Sequence, residues 1–146
     1  MNSKDIRVII PALNEQNAIG HVIEEIPKDW ITEIIVVDNG STDQTFTIAQ
    51  ELGVIVLKES KRGYGWACLK AIDHLSNSNL KPDVVVFIDA DYSDYPSELV
   101  KLVDPIINGT ADMVIGSRNL GIKEPGSMMP QQIFGNWLAT TLISYL

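Results

Sequence analysis

The chain has 146 residues, 45% of them hydrophobic, with seven prolines spread along it, so it can build one sizeable core and is neither disordered nor fibrous. A formal net charge of −8, with the eleven Lys and Arg dispersed rather than striped, excludes a phosphate-tracking nucleic-acid surface; an anionic ligand would need a locally placed cation. Cys68 is the lone cysteine, which excludes an internal disulfide and a cysteine zinc site, and the N-terminus MNSKDIRVIIP lacks the pattern of a secretion signal, so a cytoplasmic protein is expected.

Five β-branched runs succeed one another: RVII (7–10), EIIVV (33–37), VIVL (54–57), VVVFI (84–88) and MVI (113–115). Each is nearly unbroken rather than alternating, as in strands buried on both faces. Between them the apolar spacing predicts helices over about 15–26, 42–52, 64–76 and 96–107. Asn14 is read as the N-cap of the first helix, Ser41 and Gln44 as a capping box for the second, and Gly53 as its stop. This alternation predicts an α/β fold with a parallel, doubly wound sheet, helices on both faces and right-handed crossovers, whose ligands sit outside the carboxyl ends of the strands. The Gly- and Pro-rich GIKEPGSMMP (121–130) is the one long irregular connection, and a loop of this kind can act as a lid. QQIFGNWLATTLISYL (131–146) stops inside an apolar helical pattern, so residues 1–146 are expected to be one domain of a longer protein.

A polar segment adjoins the carboxyl end of each expected strand: PALNE (11–15), DNGSTD (38–43), KESKRGYG (58–65), DADYSD (89–94) and GSR (116–118). Each has an ordinary reading and a functional one. Asn14 and Glu15 suit a helix start, or a rigid Pro11 turn that presents Glu15 to a ligand. DNGS suits a tight turn, or a contact after a buried strand. In KRGYG the glycines loosen a turn, or let the backbone approach phosphates near Lys61 and Arg62. Arg118 suits an ion pair or a phosphate grip.

The acidic pair Asp89-Ala-Asp91 is the sharpest feature. Two carboxylates about 5 Å apart repel by roughly 3 kcal/mol at an effective dielectric of about 20, so they need solvent, proton sharing or a cation. As solvated or capping residues they are unremarkable; as ligands they suit a hard divalent ion, Mg²⁺ or Mn²⁺, which takes oxygen from one or two carboxylates plus substrate phosphates.

Taken in order, VIIPALNE, IIVVDNGSTDQT, KRGYGWAC, VVFIDADYSDYP and VIGSR resemble the inverting family 2 glycosyltransferases of the GT-A fold over nearly the whole chain. The likeness is greatest to the polyprenyl-phosphate sugar transferases of the dolichol-phosphate mannose synthase type. The resemblance implies a metal-dependent enzyme that moves a hexose from a nucleoside-diphosphate sugar, UDP- or GDP-linked, to a lipid-linked phosphate acceptor, with inversion. It implies that Pro11, Leu13, Glu15, Val37, Asp38 and Asn39 hold the nucleotide, that Asp89, Ala90 and Asp91 form the metal and diphosphate site and take part in catalysis, and that Arg118 contacts the donor phosphates. Many members carry Asp where Asn39 stands, and the dolichol-phosphate mannose synthases often carry Gln, a candidate third metal contact, where Ser93 stands. The last segment, 128–146, is read as core packing or as a helix meeting the cytoplasmic face of a membrane; it is too polar for a span. A family member with a hydroxyl acceptor and a non-catalytic nucleotide-binding module are the alternatives. A nucleotidyltransferase would carry a basic Gly-rich loop after the first strand, and a phospho-accepting receiver domain a Lys where Arg118 stands.

Overall fold

The computed structural model describes residues 4–77 and 81–117. In chain order the elements are β1 (Ile6–Ala12), α1 (Ile19–Glu25), β2 (Glu33–Asp38), α2 (Thr45–Glu51), β3 (Ile55–Lys58), α3 (Tyr64–Ser76), β4 (Val84–Phe87), a 3-10 turn (Pro96–Glu98) and α4 (Leu99–Ile107). The four strands form one sheet in the order β3-β2-β1-β4. All pairs are parallel, with Ile9 beside Ile35 and Phe87, and Ile35 beside Ile55.

The two faces of the sheet explain the unbroken apolar runs. On one face Val8, Ile10 and Val36 meet Ile19, Val22 and Ile23 of α1, Ala49 of α2, and Leu99 and Val103 of α4. On the other, Ile9, Ile35 and Val37 meet Ala67, Ala71 and Leu75 of α3, where two small alanines let the helix lie close. Every residue of β1 is buried, including Arg7. Its guanidinium is held at the amino end of the strand by Asp5 at 3.0 Å and Glu33 at 2.9 Å, so the buried charge is paired on both sides.

The doubly wound parallel sheet thus stands as expected, with three corrections. The run 113–115 is not a strand: Met113 and Ile115 are 73% and 74% exposed, and among the described residues nothing pairs with them, so the short apolar run has no ladder to join. Asn14 does not cap α1. It takes a left-handed φ of 57°, and α1 begins after Ala18 without a side-chain cap. Ser41 and Gln44 form no capping box; Gln44 is itself the residue before α2, and Asp43 Oδ1 accepts the Thr45 N–H at 3.0 Å. Gly53, with φ of 76°, ends α2 as expected. The chain divides into two compact units, Met1–Val114 and Ile115–Leu146. All the elements above belong to the first, and of the second, residues 115–117 are described, as irregular chain.

Candidate active site

Because every strand is parallel, all four carboxyl ends open on one edge, and a cleft of about 370 Å³ lies there. Its wall is Pro11 and Ala12 at the end of β1, Leu13 and Glu15 after it, Asn39 after β2, Gly63, Tyr64 and Ala67 at the start of α3, and Asp89, Ala90 and Asp91 after β4. Segments far apart in sequence are brought together by strand order alone.

The loops after β1 and β2 are laced to each other. Asn14 donates its backbone N–H to Ser41 Oγ at 2.9 Å, while its side-chain oxygen accepts the Thr42 N–H at 2.8 Å. One residue on, the Glu15 N–H reaches Thr45 Oγ1 at 2.8 Å; next, the Gln16 N–H reaches Asp43 Oδ2 at 3.1 Å. The left-handed Asn14, a conformation that Asn tolerates better than most residues, turns the chain so that this register is met. Glu15 is consequently fixed on the cleft wall. Burial raises its pKa above the usual glutamate value, and the negative charges of Asp91 and Asp43 raise it further.

Asp89 and Asp91 flank Ala90, which is buried in the core cluster, and both aspartates are exposed. One small inward residue thereby turns two carboxylates outward, into the cleft. The pKa of Tyr64, across the cleft, is pushed up to about 12, first by partial burial and then by the charge of Asp89. Burial likewise pushes the Cys68 thiol up, which makes it a poor nucleophile. After Asp91 the chain turns through Tyr92 in a left-handed conformation, φ 58°; its hydroxyl donates to the Glu25 carboxylate and its ring lies 5.7 Å from that of His21, tethering the acidic loop to α1.

Not every expected residue reaches the cleft. The Val37 side chain is fully buried under α3, and Asp38, 5% exposed, accepts the Ser41 N–H at 3.2 Å; neither side chain lines the wall. Arg118, the loop 121–130 and the segment 128–146 lie outside the described residues. Tyr64 and Ala67 on the wall were not singled out from the sequence, although their spacing of three after Gly63 puts both on one side of the first helical turn.

A hard divalent cation fits this donor set. Asp89, Asp91 and Glu15 line one cleft with no Lys or Arg among the described residues that line it, and the carboxylate oxygens of the aspartate pair suit Mg²⁺ or Mn²⁺. Among the described residues no group of three or more His, Cys, Asp or Glu forms a ready cage. The pair therefore matches an ion that completes its shell with water and ligand phosphates.

Residues 7–145 match the glycosyl transferase family 2, and the chain belongs to that family. Among similar proteins, a UDP-N-acetylglucosamine–dolichyl-phosphate N-acetylglucosaminyltransferase of Methanococcus voltae is 32% identical, over all of this chain and 64% of its own length. A dolichyl-phosphate hexose transferase of Haloferax volcanii is 34% identical, over 97% of this chain and 59% of its own. Among solved structures, glucosyl-3-phosphoglycerate synthase of Mycobacterium tuberculosis, in complex with Mn²⁺, UDP-glucose and phosphoglyceric acid, superposes with a TM-score of 0.63 at 32% identity, covering 73% of this chain and 40% of that one. The chain thus spans less than two thirds of each of these proteins, and the fold is that of the GT-A family 2 enzymes.

Proposed function

We propose that this chain is the donor-binding part of a metal-dependent hexosyltransferase that uses a nucleoside-diphosphate sugar, with inversion, and a polyprenyl phosphate as acceptor. The observation that carries the reading is the cleft itself, which Asp89 and Asp91 line together with Glu15 and with Pro11, a residue of β1 and not of a turn, at the carboxyl ends of a parallel sheet. The family match supports transfer of a sugar; the dolichyl-phosphate transferases among the relatives support the lipid-linked acceptor.

In this reading Pro11, Leu13 and Glu15 bind the nucleotide, and Asp89 and Asp91 hold the cation and, through it, the diphosphate. A divalent ion held by these two aspartates would supply the positive charge that an acidic chain lacks and would offset the charge growing on the departing diphosphate. The acceptor oxygen attacks the anomeric carbon from the side opposite the diphosphate; its bond to carbon forms as the carbon–oxygen bond to the diphosphate breaks, and the configuration inverts. A phosphate monoester has a second pKa of about 6, so its oxygen is already ionised at neutral pH and requires no strong base.

In the full-length protein, Asp91→Ala is expected to lower hexose transfer on the order of 10²-fold or more and to abolish Mn²⁺-dependent binding of UDP or GDP, both read with purified protein. Retained metal-dependent binding would remove Asp91 from the site. The superposed synthase, crystallised with phosphoglyceric acid, favours a second reading in which the acceptor is a small phosphorylated hydroxy acid. Parallel assays with polyprenyl phosphate and with phosphoglycerate separate the two.

A further inference from the structure

The Asn39 side chain is 4% exposed and its polar atoms are turned to the protein. Its amide nitrogen donates to the carbonyl oxygens of Glu59 at 3.1 Å and Lys61 at 2.7 Å, and its oxygen accepts the Gly63 N–H at 2.7 Å. The orientation is unambiguous, because two carbonyls demand the NH₂ and the N–H demands the oxygen. Both amide hydrogens are thereby used. The Asn39 backbone is held in turn, its N–H donating to the Ala12 carbonyl at 2.9 Å. The same loop is tied to the end of β2 once more, through the Glu59 N–H on the Asp38 carbonyl at 3.0 Å. It ends at Gly63, which with Tyr64 and Ala67 forms the cleft wall facing Asp89.

We infer that Asn39 is a positioning residue: its carboxamide clamps the β3–α3 loop and so fixes where Gly63 and Tyr64 stand against a nucleotide in the cleft, instead of reading the base. The inference rests on the proposed nucleotide site and adds how its far wall is built. Asp at this position could still accept from Gly63, but it has no hydrogen for either carbonyl and sets a negative oxygen against both. Ala removes all three bonds and buries no charge.

The test compares the full-length wild type with Asn39→Asp and Asn39→Ala, by amide hydrogen exchange without ligand and by titration with UDP and GDP in the presence of Mn²⁺. The expected result for both variants is at least tenfold faster exchange confined to residues 59–67, with β1 protection unchanged, and at least tenfold weaker binding of whichever nucleotide the wild type prefers. Unchanged exchange in the loop overturns the clamp, and weaker binding would then mark Asn39 as a direct contact. A released loop with wild-type nucleotide affinity overturns the link to the ligand. If Asn39→Asp does not fold, Asn39→Ala carries the test. If the wild type binds neither nucleotide, the functional reading fails, and exchange alone decides whether Asn39 holds the loop.

Discussion

Glu15 is an acid held on the cleft wall beside two others. Burial, then Asp91 and Asp43, raise its folded pKa, so folding favours the protonated form. Its favourable contribution is complete below 4.5, the ordinary glutamate value, and is lost as pH rises through the raised one. Glu15→Gln is therefore expected to raise Tm at pH 7, with the gain shrinking as the pH falls below about 4.5; thermal melts over pH 3–8 measure it. A constant gain across that range would mean that the carboxylate's charge is not what costs stability. The sequence marked Glu15 and the two aspartates because strand-end position is set by alternation alone. It did not reveal what Asn14 and Asn39 do: their partners are groups on loops twenty or more residues away, set by three-dimensional register and not by local pattern.

At the level of elements, strands and helices were legible wherever a buried apolar run met two covered faces. The expected fifth strand shows the limit, since an apolar triplet with two β-branched residues states a preference and a strand needs a neighbour. The helix starts depart from their local pattern for a related reason. Short polar side chains that usually cap a helix here lace one loop to another, so α1 begins later than its sequence suggests. At the head of α3, Gly63 has φ 132° and ψ 138°, a region essentially reserved for glycine. A Cβ there would meet only Trp66 Cδ1 at 3.6 Å, so space is not the obstacle. Gly63→Ala is expected to cost about 1–3 kcal/mol through the backbone alone, seen as a lower urea midpoint with an unchanged slope. A midpoint equal to wild type would show that the loop relaxes without strain.

For the molecule as a whole, an acidic chain lines its cleft with carboxylates, and the proposed divalent ion would reconcile them with a diphosphate. Nucleotide with Mn²⁺ should accordingly stabilise the folded state, by about 2.7 kcal/mol at a hundred times Kd, and neither component alone should match the pair. Differential scanning fluorimetry of the full-length protein reads this as a rise in Tm. A rise from nucleotide alone equal to that from the pair would argue against a metal bridge. Among the described residues no helix is long and apolar enough to cross a membrane.

The register that joins Ile6 to Val84 sets a timetable for synthesis. The first strand made ends up between β2 and β4, and the last of the four is made well after β3. At about 5–20 residues per second, a ribosome needs roughly 1–6 s to pass from Lys58 to Phe87, and during that interval a nascent β1 has one edge open to unwanted pairing. Asp89 and Asp91 are made just after the strand that covers that edge, so the growing chain acquires its acidic pair only once β1 can be flanked on both sides.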